Sequence, residues 1–316
     1  MLFKTIKGIK EIFRKGNENW KLKKLFDQEK PIITVAQDGS GDFQKVEDAL
    51  KLVKQINGGT ITIKKGDYYP EVYSSELYLD IVSNLRIDGN GTANLYIPYP
   101  EANLNKTVFN LRDKKKIIIE NLIFHIPNEW SDPFSSTISQ VFKLGNSENI
   151  IIRDNIFKLY EEVGGYYPFD LLLDCNADYI SGLKLIKNTI DLGIKGDNYW
   201  SNAGNFADCL FKDNNLGYKN WMDGYPNFDN CIVSGNYGLE GSWRAKYSNC
   251  KIKDNQATGD TTVLKSGSTL NIVHGNKFYG IRLEAGANYN NVNGNLVSNA
   301  VTDSGTGNTV TDNTIY

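Results

Sequence analysis

Residues 250–276 read CKIKDNQATGDTTVLKSGSTLNIVHGN, and this stretch contains the same six-residue pattern twice. In each copy a short apolar run is followed by a polar residue or Gly and then by Asn, at Asn255 and at Asn276. The interval between the copies holds short alternating runs of β type, too short for a pair of helices with a 3.6-residue period. The repeating unit is therefore a coil of short strands.

The pattern recurs along most of the chain, at intervals that shorten from 34 residues to 18 toward the C-terminus. The residue three before the final Asn is apolar in every copy, and the residue two after it is apolar in all but two. Stacked coils pair each strand in parallel with its copy about 4.8 Å away. The sequence thus predicts an all-β, right-handed, single-stranded parallel β-helix. Its reference residues are Asn90, Asn121, Asn155, Asn188, Asn214, Asn236, Asn255, Asn276, Asn295 and Asn313.

Asn suits the bends of such a coil, because it tolerates left-handed backbone and its side chain can pair with a stacked copy. A second column lies five residues before the later reference Asn, and we interpret it as a buried ladder of small side chains with free thiols, the alternative being redox or metal chemistry. Four Cys and two His show no ligand spacing, so neither a metal nor a cofactor is predicted. The column consists of Cys209, Cys231, Cys250, Asn271, Asn290 and Asn308.

The composition of the chain excludes several classes of structure and function. A chain of 316 residues with 40% hydrophobic residues can bury a large core, which excludes bulk disorder. A net charge of −2 from 35 basic and 37 acidic residues gives no field that favours nucleic acid. No apolar run reaches the roughly 18 to 20 residues of a membrane span, and we expect no signal peptide.

The segment ITVAQDGSGDFQKVEDALKLVKQINGGTITIKKGDYY (33–69) contains an extended run, a Gly-rich turn, a short amphipathic helix and a strand. The apolar face of the helix covers the first coil, which an open β-helix end requires. We therefore divide the chain into a helical segment, 1–31, and a β-helix, 32–316, whose cap is 32–70. The apolar face consists of Phe43, Val46, Ala49, Leu50 and Val53.

Two stretches of the cap, VAQDGSGDF (35–43) and GGTITIKKGDYYPEVY (58–73), resemble the opening strands of pectin methylesterases. More widely, the chain resembles the pectin lyase-like β-helices, which include carbohydrate esterases, lyases, hydrolases and phage tailspikes. The resemblance implies the β-helical fold. The esterase motifs QDT, DFIFG and GRPW are absent, so no catalytic residue is carried over.

Residues 1–30 differ in kind, with Leu2, Ile6, Ile9 and Phe13 at heptad-like spacing among nine Lys or Arg. This spacing predicts a helix that packs on copies of itself or on a larger particle, and a basic membrane-surface helix is the alternative. The stretch GNENWKLKKLFDQ (16–28) resembles attachment segments of phage tail proteins. We expect a homotrimer that contacts other virion proteins through this helix.

The longest intervals of the repeat predict loops, where binding sites on a rigid solenoid are usually built. Trp200, Trp221 and Trp243 are one coil apart, and aromatic faces stack on sugar rings while charged groups bind hydroxyls. We interpret these segments as a glycan-binding groove, the alternative being aromatics that pack loops onto the coil. The further binding candidates are Tyr166, Tyr167, Tyr199, Tyr218, Tyr225, Tyr247 and Lys246.

The catalytic candidates lie in the same segments. Asp197 and Glu240, two coils apart, differ by about 9.5 Å along the axis, compatible with an inverting pair separated by roughly 6.5 to 9.5 Å. Asp223 lies between them, and a lyase would instead use a base such as Arg244. The alternative is that these are solvated turn residues.

These features favour a phage or prophage tail appendage, of tailspike type, that binds host surface polysaccharide, with degradation of that polysaccharide left open. The alternatives are a soluble carbohydrate-active enzyme (polysaccharide lyase, glycoside hydrolase or pectinesterase-like) and a structural β-helical spacer. The expected location is the virion or the extracellular space after cytoplasmic assembly, with neither nucleic acid nor a membrane span involved.

Overall fold

The computed structural model has the predicted right-handed parallel β-helix fold. Within the described ranges, strands pair in parallel with their counterparts in the next coil, as β13 (Lys184–Ile186) does with β17 (Leu210–Lys212). No helix in these ranges is long and apolar enough to cross a bilayer. Residues 1–30, predicted to be an attachment helix, lie outside them. The structure describes residues 31–70, 77–79, 81–97, 107–127, 140–160, 171–174, 179–191, 199–200, 204–215, 226–237, 244–257, 259 and 261–316.

The described strands form three sheets and a set of return strands, and not every coil contributes a strand to each of them. Sheet I consists of β1 (Ile32–Val35), β2 (Gly59–Ile63), the first halves of β5 (Leu85–Tyr96) and β7 (Lys115–Pro127), β9 (Ser147–Arg153), β13, β17, β19 (Ile232–Ser234), β21 (Lys251–Lys253), β23 (Ile272–His274), β26 (Asn291–Asn293) and β29 (Thr309–Thr311). Sheet II consists of β3 (Gly66–Tyr68), the second halves of β5 and β7, β10 (Ile156–Tyr160), β14 (Thr189–Asp191), β24 (Lys277–Phe278), β27 (Leu296–Val297) and β30 (Thr314–Ile315).

Sheet III and the return strands complete the coil. Sheet III consists of β4 (Leu77–Leu79), β6 (Thr107–Asn110), β8 (Gln140–Lys143), β11 (Leu171–Asp174) and β15 (Tyr199–Trp200). The return strands form two runs. One consists of β12 (Tyr179–Ser181), β16 (Asn205–Ala207), β18 (Asn227–Asp229) and the end of β20 (Arg244–Ser248). The other consists of the start of β20, β22 (Thr261–Leu264), β25 (Gly280–Leu283) and β28 (Val301–Asp303).

The three-residue strands of sheet I show why the sequence repeats as it does. In β21 the middle residue, Ile252, points into the coil and is buried, while Lys251 and Lys253 point out. Ile252 stacks in register on Val233 of the preceding coil and on Val273 of the next. Burying each such side chain stabilises the fold by about 1.5–3 kcal/mol, which makes the apolar column the main source of its stability.

From β13 onward, the strands of sheet I begin and end at left-handed bends. From Asn155 onward the bend that follows the strand has a φ between 53° and 67° in the residue just before the reference Asn, whereas Asn90 and Asn121 are themselves left-handed, with φ of 53° and 57°. The prediction that the reference Asn supplies the bend is therefore confirmed at Asn90 and Asn121 and wrong from Asn155 onward, where a buried amide serves the stacking and the preceding Asp, Gly or Lys serves the bend. These bend residues are Asp154, Lys187, Asp213, Gly235, Asp254, Gly275, Gly294 and Asp312.

The reference Asn side chains from Asn155 to Asn313 form a continuous ladder in the interior of the coil. Asn255 is representative: its Nδ2 donates to the Val233 carbonyl oxygen and to Asn276 Oδ1, both at 2.9 Å. Its Oδ1 accepts from the Asn236 backbone N–H at 3.1 Å and from Asn236 Nδ2 at 2.9 Å. The amides thus satisfy one another and the backbone, as buried polar groups require.

Asn121 does not belong to this ladder. It is itself the left-handed residue, with a φ of 57°, and Leu122 takes the ladder position and donates its backbone N–H to Asn155 Oδ1 at 3.1 Å. Consequently Ile119 is the inward residue of this coil, and Ile118 faces out. The predicted alignment is one residue out of register here, because the amide next to the bend has the same sequence context as a ladder amide.

The predicted second column is confirmed as a buried ladder of free thiols and amides for the residues described, Cys209 to Asn308. The Cys209 backbone N–H donates to Cys231 Sγ at 3.4 Å, and the Cys250 backbone N–H donates to Asn271 Oδ1 at 2.9 Å. Hydrogen bonding along the column raises the pKa of Cys231. Hydrogen bonding and burial together raise the pKa of Cys250. These thiols are neutral structural groups.

The helix predicted to cap the first coil is α1 (Val46–Gln55). Its buried face, Val46, Ala49, Leu50 and Val53, packs on β1 and β2 as expected. The turn before it needs a glycine at Gly41, because a Cβ there would lie 2.7 Å from the Thr34 carbonyl oxygen. The cap covers the apolar end of the core and brings the QDGSGDF turn against it.

Replacing one ladder amide tests its contribution. Asn255→Ala leaves the Asn236 N–H and the Val233 carbonyl buried without these partners, so we expect a loss of about 3 kcal/mol in the free energy of unfolding. The matched control is Asn299→Ala, at an exposed position outside the ladder, which should change stability by about 0.5 kcal/mol or less. Urea denaturation measures both, and equal effects would contradict the interpretation.

Candidate functional site

The longest connections of the coil all begin at one edge of sheet II. They follow strands or bridges that are in register from coil to coil, such as β7 with β10 and β10 with β14. Each connection therefore starts one coil spacing, about 4.8 Å, beyond the one before. We call this line of starting points the loop edge. The connections that start there span 98–106, 128–139, 161–170, 192–198, 216–225 and 238–243.

Most predicted site residues belong to these connections and lie outside the described residues, so their roles stay predictions. The described strands and bridges from which the connections start are in register from coil to coil. The residues concerned are Tyr166, Tyr167, Asp197, Tyr218, Trp221, Asp223, Tyr225, Glu240 and Trp243.

Tyr199 and Trp200 form strand β15 at the end of one of these connections. Their backbone pairs with β11, Tyr199 opposite Leu171 and Trp200 opposite Leu173. Both residues therefore belong to sheet III, one coil beyond β11.

Strand β20 contains the three remaining candidates and separates them. Lys246 is exposed, and Arg244, at the start of the strand, is partly buried. Tyr247 is fully buried, and its ring stacks on Phe228 with centroids 5.3 Å apart. Tyr247 is a core residue, so the prediction that it binds substrate is wrong. The reason is strand alternation, which turns the neighbour of an outward Lys246 into the coil.

The burial of Tyr247 can be read from its spacing to the Cys column, although its spacing to the Trp residues suggested a surface position. Phe206, Phe228 and Tyr247 each precede a Cys of the second column by three residues, so they form one inward column. Burial raises the pKa of Tyr247, as expected for a hydroxyl removed from water.

A stack of three rings, which the sequence analysis missed, lies on the loop edge, with Tyr69 exposed and Tyr96 and His125 half-buried. Tyr69 and Tyr96 have ring centroids 4.8 Å apart with planes 15° apart, and Tyr96 and His125 have centroids 4.1 Å apart with planes 9° apart. The column continues in register through Lys158 and Asp191. We call these five residues the edge column.

Hydrogen bonds hold the rings in place. Asn94 Nδ2 donates to Asp67 Oδ1 at 2.8 Å, and Asn94 Oδ1 lies 3.0 Å from His125 Nε2. Because the amide oxygen can only accept, His125 carries its proton on Nε2 in this contact. Burial, and then the nearby Lys158 ammonium, lower the pKa of His125, so the imidazole is neutral at pH 7.

The Tyr96 ring is neutral as well. Burial, followed by the Asp67 carboxylate, raises the pKa of Tyr96. The stack therefore presents uncharged aromatic surface with hydroxyl and imidazole groups at its rim. His125, Lys158 and Asp191 each lie three residues after a ladder position, at Leu122, Asn155 and Asn188, so the repeat encodes this part of the column. The one-residue misalignment at Asn121 hid His125.

Comparison with known proteins supports the fold. No protein-family model and no curated protein matches the chain by sequence. Among solved structures, a mutant tailspike protein of E. coli bacteriophage HK620, in complex with a pentasaccharide, matches 93% of the chain with a TM-score of 0.50 at 15% identity. The match spans 58% of that tailspike chain. The A-module of the mannuronan C-5 epimerase AlgE6 from Azotobacter vinelandii matches 86% of this chain and 94% of its own, with a TM-score of 0.42 and 13% identity.

The environment of His125 predicts a pH-dependent stability. Its folded-state pKa lies below its ordinary value of 6.5, so the unfolded chain binds the proton more readily. The stabilisation is therefore complete above pH 6.5 and is lost as the pH falls toward the folded-state pKa. Thermal melts between pH 5 and 8 should show this decline, and His125→Gln should remove it.

NMR titration provides the direct measurement. The chain has two histidines, so the spectrum of His125→Gln identifies the His125 signal by its loss. A His125 midpoint at or above 6.5 would contradict the neutral, partly buried imidazole.

Proposed function

We propose that this protein binds an extended polysaccharide along its loop edge. The observation that carries the proposal is the Tyr69–Tyr96–His125 stack, which is partly open to solvent and lies where the aromatic-rich connections begin. A sugar has apolar ring faces that pack on aromatic rings, and hydroxyls that bind polar groups beside them. Because the stacked rings cover one another's faces, the edge column offers polar groups and ring edges along its length and an open ring face at Tyr69.

The dimensions of the edge column fit an oligomer. Four coil steps separate Tyr69 from Asp191, which is about 19 Å at the usual strand spacing. Lys158 extends the column beyond the stack with an ammonium, which can bind hydroxyls, and the backbone register continues to Asp191. Beyond them, the predicted aromatic connections with Trp221 and Trp243 would lengthen the same surface. A surface of this length accommodates several sugar units, as a surface polysaccharide would present.

The wider setting proposed is that of a phage or prophage tail appendage that acts on a virion or outside the cell. The heptad-like apolar residues of the N-terminal segment support attachment and trimer formation. The likeness to the HK620 tailspike supports the scaffold of this proposal, and its pentasaccharide is a ligand of that protein.

Binding to a panel of purified bacterial surface polysaccharides, followed by calorimetry on those that bind, tests the function. Trp221→Ala and Trp243→Ala should each weaken binding about tenfold, which corresponds to about 1.4 kcal/mol of lost stacking. The matched control is Tyr289→Ala, since Tyr289 is an exposed aromatic at a bend of sheet I, away from the loop edge. Its affinity should equal that of the parent protein.

Two outcomes would contradict the proposal: no polysaccharide binds, or all three variants bind as the parent does. The same incubations report on catalysis. Release of reducing ends or unsaturated products, lost in Asp223→Asn or Glu240→Gln, would assign the enzymatic alternative.

The oligomeric state is measured separately. Light scattering at micromolar concentration should give three times the 35.5 kDa mass of one chain. A variant with Ile6→Asp and Phe13→Asp places charges in the proposed seam and should dissociate. A parent protein that is already monomeric would remove the trimer from the proposal.

A further inference from the structure

A cavity of about 190 Å³ lies at the N-terminal end of the loop edge, between the cap and the first coil. The QDGSGDF turn contributes one wall, the residues that begin α1 contribute a second, and the end of β3 contributes a third. Its lining includes Gln37, Gln44, Lys45, Glu47, Tyr69 and Pro70.

Tyr69 connects this cavity to the edge column. One face of its ring packs on Tyr96, and the side chain is 68% exposed. Strand β3, which precedes Tyr69, is the first strand of sheet II in the described part of the chain, and it pairs with β5 on its one occupied side. Within that part of the chain no earlier coil covers the opposite face of the Tyr69 ring. The aromatic stack is therefore open at the end where the cavity lies.

We propose that this cavity is a subsite for one neutral pyranose unit, which continues the ring stack on the open face of Tyr69. A sugar ring supplies the flat apolar face that the stack lacks at this end. Its hydroxyls both donate and accept, which matches a lining of two amides, a carboxylate and an ammonium. This subsite rests on the proposed function, because it would hold the terminal unit of the glycan bound along the loop edge.

The charge and the size of the cavity limit the class of ligand that it can bind. Glu47 and Lys45 line the cavity together, so its charges balance and give an anionic sugar no net attraction over a neutral one. The volume of about 190 Å³ is below the roughly 300–1,000 Å³ of sites that enclose drug-sized ligands. The cavity therefore suits a single unit.

The walls are held in place before any ligand binds. Gln44 Nε2 donates to the Gln37 carbonyl oxygen at 3.3 Å, and Gln37 Nε2 donates to the Asp67 carbonyl oxygen. The turn is closed by Ser40, whose N–H donates to Asp38 Oδ1 at 2.9 Å and whose Oγ accepts from Lys64 Nζ at 3.0 Å. Such preorganisation lowers the entropy lost on binding.

Saturation-transfer-difference NMR on the full chain tests the subsite. The probes are glucose, galactose, N-acetylglucosamine and rhamnose, with glucuronate as the anionic comparison. At least one neutral sugar should receive saturation from the parent protein. The saturation transferred to that sugar should be at least tenfold weaker with Tyr69→Ala. With Tyr69→Phe, which keeps the ring, it should stay within about twofold of the parent value. Tyr289→Ala should match the parent. Because Tyr69 is exposed, thermal melts of all variants should coincide.

Each contrary result has a distinct meaning. Equal saturation in Tyr69→Ala and the parent overturns the subsite, and glucuronate binding as well as the neutral sugars overturns its neutral character. If a polysaccharide binds Tyr69→Ala with full affinity but loses affinity for Trp221→Ala, the proposed function stands and the subsite fails. If monosaccharides bind through Tyr69 and no polysaccharide binds, the subsite stands and the loop-edge function fails.

Discussion

The constraint on which this structure depends is the hydrogen bonding of amide side chains inside an apolar coil. A buried Asn without partners costs several kcal/mol, and inside the coil the available partners are the amide one coil away and the backbone carbonyl beside it. Asn255 satisfies its Nδ2 and Oδ1 in this way, with distances between 2.9 and 3.1 Å. Any slip of one coil against the next would break these contacts throughout the ladder, so the ladder fixes the register of the coils.

A fixed register turns distant sequence positions into neighbours at the surface. Tyr69, Tyr96 and His125 are 27 and 29 residues apart in sequence, yet their rings stack with centroids 4.8 and 4.1 Å apart. The same register makes the long connections begin along one edge, whatever their length or composition. Binding surfaces on this scaffold are therefore columns that run across coils, and the cap closes such a column with a cavity of its own.

Particular residues show where sequence reasoning succeeds and fails. The Cys209 column and the buried face of α1 follow from spacing, because both depend on whether a side chain points into the core. The prediction for Tyr247 is wrong, because aromatic residues one coil apart in sequence can belong either to an inward column or to an outward one. The assignment of Asn121 to the ladder is wrong, because the bend position and the ladder position are adjacent and Asn is compatible with both.

The sequence by itself determined the fold, the cap helix, the apolar columns and the amide ladder from Asn155 onward, since each follows from residue spacing along the chain. The tertiary structure alone decided which aromatics are exposed and which of them meet. Side chains on a strand alternate between the two faces, so a shift of one residue moves a ring from the core to the surface. That shift is invisible until the coils are stacked, and it separates the buried Tyr247 from the exposed Tyr69.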